Sequence, residues 1–182
     1  MRILIKSRAE IETMSQTQFP THIALISITD AGLDFAELVH KPEFLLQVAF
    51  DDVDNDIFVD ELGRKPNEGE RQSLEEKYKM LSDSQALQIA SFYYDHKDTI
   101  STLICQCEHG QSRSAAVAAA ILEFRSRRGI SVFSHDNYYP NKVVFRKVLS
   151  ALKDCIPVLD ANPVDLLKES RAQRQVLIRI LS

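Results

Sequence analysis

Thr102-Leu103-Ile104-Cys105-Gln106-Cys107-Glu108-His109-Gly110-Gln111-Ser112-Arg113-Ser114-Ala115-Ala116 is the stretch that decides the fold. Its first part, Thr102–Cys105, is a short apolar run and predicts a buried strand. Its centre, Cys107 to Arg113, is polar, carries Gly110 midway and reads as a tight turn. From Ser114 to Arg128 the chain is apolar nearly all round through Ala115–Leu122, which predicts a buried helix. Gly129 is expected to stop that helix, just past its end, where glycine is favoured. In a strand–loop–helix unit of this kind, backbone N–H groups and a helix N-terminus converge on an anion.

Three further apolar runs, Ile3–Ile5, Ile23–Ile28 and Phe44–Phe50, predict short strands, two of them continuous enough to be buried. Glu70–Leu81 reads as a short charged helix. A second helix runs to about His96, capped by Asp83 or Ser84, with Leu87, Ile89, Phe92 and Tyr93 as its apolar positions. Val143–Leu152 reads as helical. In the tail, Val164–Leu181, the apolar positions Leu167, Val176, Leu177 and Ile180 do not separate helix from strand. Asp51–Gly69 is acidic, then carries Gly63, Pro66 and Gly69, and reads as a loop or insertion. Strands alternating with helices give an α/β fold with a mostly parallel central sheet flanked by helices. At 182 residues the chain is expected to form one domain, with an insertion over 54–82 and a C-terminal extension over 160–182.

Composition excludes several function classes. The formal charge of -4 and pI near 5.7 offer no global attraction to nucleic acid or an anionic membrane. No stretch approaches the apolar length of a membrane span, and the N-terminal apolar run is too short for a signal peptide. The three cysteines, Cys105, Cys107 and Cys155, show no disulfide-framework pattern, which places the chain in a reducing cytoplasm where a thiolate persists.

The five residues between Cys107 and Arg113 are enough to wrap once around a tetrahedral phosphate. Gly110 stands where a positive φ or close backbone approach is needed. A thiol at Cys107 feels the positive end of the following helix and the nearby guanidinium, both of which favour the nucleophilic thiolate. Arg113 offers a planar fork for two phosphate oxygens, and Ser114 stands beside it with a hydroxyl to donate to the sulfur. Other patterns are weaker. Asp52-x-Asp54-x-Asp56 begins like a calcium loop, but Ile57 replaces its glycine and Gly63 its final glutamate. Cys105-x-Cys107 lacks the second pair of a zinc site. Arg125, Arg127 and Arg128 suit a helix C-terminus without any ligand. Tyr93-Tyr94 and Tyr138-Tyr139 read as half-buried packing residues.

The signature Cys107-x5-Arg113-Ser114 after an apolar strand resembles that of the protein tyrosine and dual-specificity phosphatases. The run Ile104–Ala116 is similar to the form found in the dual-specificity branch and its small bacterial and phage relatives. Pro140-Asn141, ahead of Val143–Leu149, resembles the helix start that braces the loop in that branch. The resemblance covers about residues 22 to 152. It implies a phosphomonoester hydrolase with no metal or cofactor, working through a phospho-cysteine on a phosphorylated protein or small phosphomonoester. In that scheme Cys107, Arg113, Asp52 and Ser114 are the catalytic set, and Glu108, His109, Gly110, Gln111, Ser112 and Arg113 bind the phosphate. The family's general acid follows a strand on a mobile loop. That pattern favours Asp52, with Asp51 and Asp54 behind it. The chain departs from the family in carrying Gln106 where histidine is usual. With no tryptophan-containing acid loop and no lysine in the phosphate loop, the resemblance points to a shallow site for substrates of modest charge. A phosphate-binding scaffold without turnover, or an RNA or small-molecule phosphatase of the same superfamily, is the alternative.

Overall fold

The computed structural model describes residues 1–54 and 56–155. Four strands, β1 (Arg2–Ser7), β2 (Ile23–Thr29), β3 (Phe44–Ala49) and β4 (Thr102–Cys107), form one sheet in the order β1-β4-β2-β3. Every pairing is parallel: β4 lies against β1 in register from Arg2↔Thr102 to Ser7↔Cys107, and β2 against β4 from Ile23↔Thr102 to Ser27↔Gln106. The central strands β2 and β4 are buried at every residue, as expected when both faces of a parallel sheet are covered.

Alternation along the strands sorts side chains to the two faces. Ala24, Ile26 and Ile28 of β2 and Leu103, Cys105 and Cys107 of β4 join the main core. The helices on that face are α4 (Asp83–His96), α5 (Arg113–Ser126) and α7 (Lys142–Asp154). Ile23 and Leu25 of β2 and Ile104 of β4 turn to the other face, packing with Ile11, Phe19 and Ala36; Ile11 belongs to α1 (Arg8–Met14). Helix α5 is buried continuously from Arg113 to Ile121. Its alanines let it approach β4, β1 and α7 together, with α6 (Ile130–Phe133) alongside. Larger side chains would hold those elements apart.

Several local expectations are corrected. The stretch Asp51–Gly69 is not simply a loop: α2 (Asp56–Leu62) lies within it, and α3 (Glu68–Lys77) follows, capped by Asn67. Neither Asp83 nor Ser84 caps α4. Ser82 does, its hydroxyl accepting from Gln85 N at 3.2 Å while Gln85 Oε1 accepts from Ser82 N at 3.0 Å. The left-handed residue ending α5 is Arg127, not Gly129. Gly129 has an ordinary φ of -56° and precedes α6; a Cβ there would stand 2.7 Å from Ala119 O, so close approach to α5 is what demands glycine. The tail Val164–Leu181 lies outside the described residues. Among the described residues no helix is long and apolar enough to cross a membrane.

Leu103 is fully buried between β1 and β2 and packs on the helical face. Leu103→Ala is expected to lower unfolding free energy in a urea titration by about 2–5 kcal/mol. Leu87→Ala, at a half-exposed helix position, should change it by less than about 0.5 kcal/mol.

Candidate active site

Parallel strands place their carboxyl ends along one edge, and the residues just past those ends converge there. Cys107 closes β4, Asp30 follows β2, and Phe50, Asp51 and Asp52 follow β3. Beyond Cys107 the chain turns through Gly110, at φ +68°, and enters α5 at Arg113. Gly110 lies against the end of β1: an added Cβ would stand 2.6 Å from Ser7 N and 2.7 Å from Lys6 C. Both conformation and space therefore exclude a side chain.

The loop is pinned from outside. Glu108 O accepts from Arg8 N at 3.1 Å, and Gln111 O accepts from Tyr139 N at 2.9 Å. Since a trans peptide sets N–H opposite C=O, the amides of His109 and Ser112 point the other way, away from these braces. Ser112 occupies the N-cap position of α5 without capping it. Its hydroxyl donates to Asp52 Oδ1 at 2.7 Å instead.

Arg113 is 3% exposed. Its Nη1 donates to Phe50 O at 2.7 Å and lies 2.8 Å from Asp30 Oδ1. Nε stands 3.8 Å from Asp52 Oδ2 and is a buried donor with no hydrogen-bond partner among the described residues. The guanidinium is thus fixed at one edge and keeps an unmet donor, an arrangement suited to receiving an oxyanion. Cys107 Sγ is 3.1 Å from Ser114 Oγ, at the base of the loop.

A shallow pocket of about 260 Å³ opens here, lined by Asp52, Cys107, His109, Gln111, Ser112, Arg113 and Tyr139. The three neighbouring aspartates part company. Asp51 Oδ1 accepts from Ala31 N at 2.8 Å, and Asp54 Oδ2 from Lys142 N at 3.4 Å. Only Asp52 of these reaches the pocket wall, where Asn141 Nδ2 donates to its Oδ1 at 3.0 Å. Asn141 also donates to Val53 O and caps α7 through Val143 N and Val144 N, so one buried amide joins the aspartate loop to that helix. Glu108 does not line the pocket; its carboxylate accepts from Arg8 Nε at 2.7 Å.

Gln106 is fully buried, and its Oε1 accepts from the Ser27 hydroxyl at 2.7 Å. Its neighbours in β4 show why it leaves the thiol alone: Cys107 projects to the helical face, and Gln106 to the opposite one. Burial pushes the Cys105 thiol well above its ordinary pKa, keeping it protonated. A larger groove of about 630 Å³ beside α3, α4 and α7 holds mutually paired charges, with Lys147 2.6 Å from Glu75 and 3.4 Å from Asp83. Among the described residues no group of three or more His, Cys, Asp or Glu is arranged to hold a metal.

Sequence reading missed Asp30, Arg8 and Tyr139 as parts of this edge. Asp30 had a usable signal, since it ends an apolar strand and carboxyl ends of parallel strands share an edge. Arg8 had none, being a hundred residues from its partner Glu108.

No family model matches the chain, and no curated protein matches it in sequence. Solved structures similar in outline include the following two. One is a mouse putative dual specificity phosphatase complexed with zinc tungstate, 18% identical, with a TM-score of 0.43, over 84% of this chain and 82% of that one. The other is Tk-PTP, an archaeal protein tyrosine phosphatase, in its active form, 13% identical, with a TM-score of 0.41, over 86% and 94%.

Gly110→Ala and Gly32→Ala separate conformation from contact, because Gly32 also has a positive φ, +89°, but open space around it. Gly32→Ala is expected to cost about 1–2 kcal/mol in denaturant unfolding, and Gly110→Ala clearly more.

Proposed function

We propose that the chain is a cysteine-dependent phosphomonoester hydrolase acting through a phospho-cysteine, on phosphorylated protein or a small phosphomonoester. One observation carries this: Cys107 and Arg113, from one short loop, and Asp52, distant from them in sequence, line one pocket at the N-terminus of α5. An anion there meets inward amides, a helix N-terminus and a buried guanidinium with a donor to spare.

In the first step the Cys107 thiolate attacks phosphorus and the P–O bond to the leaving group breaks. Asp52, in its acid form, gives its proton to the departing oxygen. Arg113 and the loop amides follow the charge on the equatorial oxygens. In the second step the Asp52 carboxylate takes a proton from water as that water attacks the phospho-cysteine. The S–P bond breaks, inorganic phosphate leaves, and the Ser114 hydroxyl, 3.1 Å from Sγ, donates to the thiolate that returns. Asn141 and Ser112 orient the Asp52 carboxylate at the wall where the leaving group would exit. The exposed rim, with His109, Gln111 and Tyr139, forms a shallow mouth rather than a deep slot.

The reduced protein is expected to hydrolyse p-nitrophenyl phosphate and to be inhibited by orthovanadate. Cys107→Ser should abolish turnover, and Asp52→Asn should lower kcat by roughly 10²-fold or more. A protein that binds vanadate yet releases no phosphate anywhere from about pH 5 to 8, the range in which such acid–base pairs work, is a phosphate-binding scaffold and overturns the proposal.

A further inference from the structure

Glu108 is out of place on electrostatic grounds. It puts a carboxylate directly after the nucleophile, in a loop proposed to bind a phosphate dianion beside a thiolate. Like charges so placed repel, and the repulsion is strongest where water is scarce. The structure resolves the conflict through Arg8. Arg8 Nε donates to Glu108 Oε2 at 2.7 Å, and Arg8 N donates to the Glu108 carbonyl at 3.1 Å. Arg8 is itself held on three further sides. Its Nη2 donates to Thr29 Oγ1 at 3.1 Å and to Asp34 O at 2.7 Å, while Nη1 lies 3.6 Å from Glu12 Oε1. The guanidinium therefore ties the loop after β4 to the end of β2 and the start of α1. The Glu108 carboxylate stays off the pocket wall. The Glu108 hydrogen bond is also the foremost cause that raises the Arg8 pKa above its ordinary value, so the neutralising charge is permanent.

We infer that Arg8 is a positioning residue for the loop of residues 107–113, drawing the Glu108 carboxylate to the outer side of the loop and cancelling its charge so that an anion can bind beside Cys107. This rests on the pocket being an oxyanion site. It also extends the functional unit to the N-terminal strand and helix, since Lys6, Ser7 and Arg8 all bear on the loop.

The test compares wild type, Arg8→Gln, Arg8→Lys and the double variant Arg8→Gln/Glu108→Gln in the full chain. Two readouts are used: orthovanadate affinity by calorimetry, and the ratio of Cys107 alkylation rates by anionic iodoacetate and neutral iodoacetamide, followed on the Cys107 peptide by mass spectrometry. Arg8→Gln should weaken vanadate binding roughly tenfold, as one uncompensated nearby charge would, and should lower the iodoacetate-to-iodoacetamide ratio by several-fold. Arg8→Lys, which keeps the charge, should lose less on both readouts. The double variant, which removes the stranded carboxylate, should recover most of both. A role confined to holding the fold predicts instead a double variant no better than Arg8→Gln. That result, or an Arg8→Gln ratio equal to wild type, overturns the inference. If wild type itself binds no vanadate, the phosphatase reading fails, and the alkylation ratio still decides whether Arg8 cancels Glu108 beside Cys107.

Discussion

A methyl group at Gly110 would enter the backbone of Lys6 and Ser7, and much of the site depends on that contact being possible. Strands β1 and β4 run parallel and in register to their ends, with Ser7 opposite Cys107. The chain leaving β4 must turn at once over the end of β1 to enter α5. It does so only with a residue that accepts a positive φ and needs no lateral space. With the turn that tight, the carbonyls of Glu108 and Gln111 face outward to Arg8 and Tyr139. Their partner amides then face the opposite way, and Arg113, the first residue of α5, lines the pocket.

The second constraint is a buried cation. Placing Arg113 at 3% exposure is costly unless its donors are met and its charge answered. Asp30 and the Phe50 carbonyl answer one side. They come from the ends of β2 and β3, so the guanidinium also joins three strands at their carboxyl edge. Asp52 stands on the other side, at 3.8 Å, too far to satisfy Nε by a hydrogen bond. The same residue that crosslinks the sheet thus leaves its Nε without a hydrogen-bond partner among the described residues, on the side where Asp52 lines the pocket.

The sheet was readable because its strands carry apolar runs, continuous in β2 and β4, where burial on both faces removes the polar alternation that would blur them. Helix α5 was readable for the same reason, as a continuous buried run. Helix α2 was not, because two turns of acidic chain beside Gly63, Pro66 and Gly69 present local turn chemistry and no long period. The cap of α4 lies one or two residues before the expected Asp83 or Ser84, since Ser82, Asp83 and Ser84 can all serve and only the reciprocal bond with Gln85 selects Ser82. Sequence adjacency alone would set Gln106 beside the Cys107 thiol. Strand alternation instead turns it to Ser27 on the other face of the sheet.

The sequence by itself determined the α/β class, the strand–loop–helix unit, and the pairing of a thiol with a guanidinium across five intervening residues. All of that is local, set by apolar periodicity and by spacing along one short segment. Only the tertiary structure decided which of Asp51, Asp52 and Asp54 reaches the pocket, that Asp30 and Phe50 hold Arg113, and that Arg8 takes Glu108 away from it. These are contacts between residues tens of positions apart. They exist because a parallel sheet gathers the ends of distant strands along one edge, an ordering that hydrophobic patterning encodes only through the finished fold.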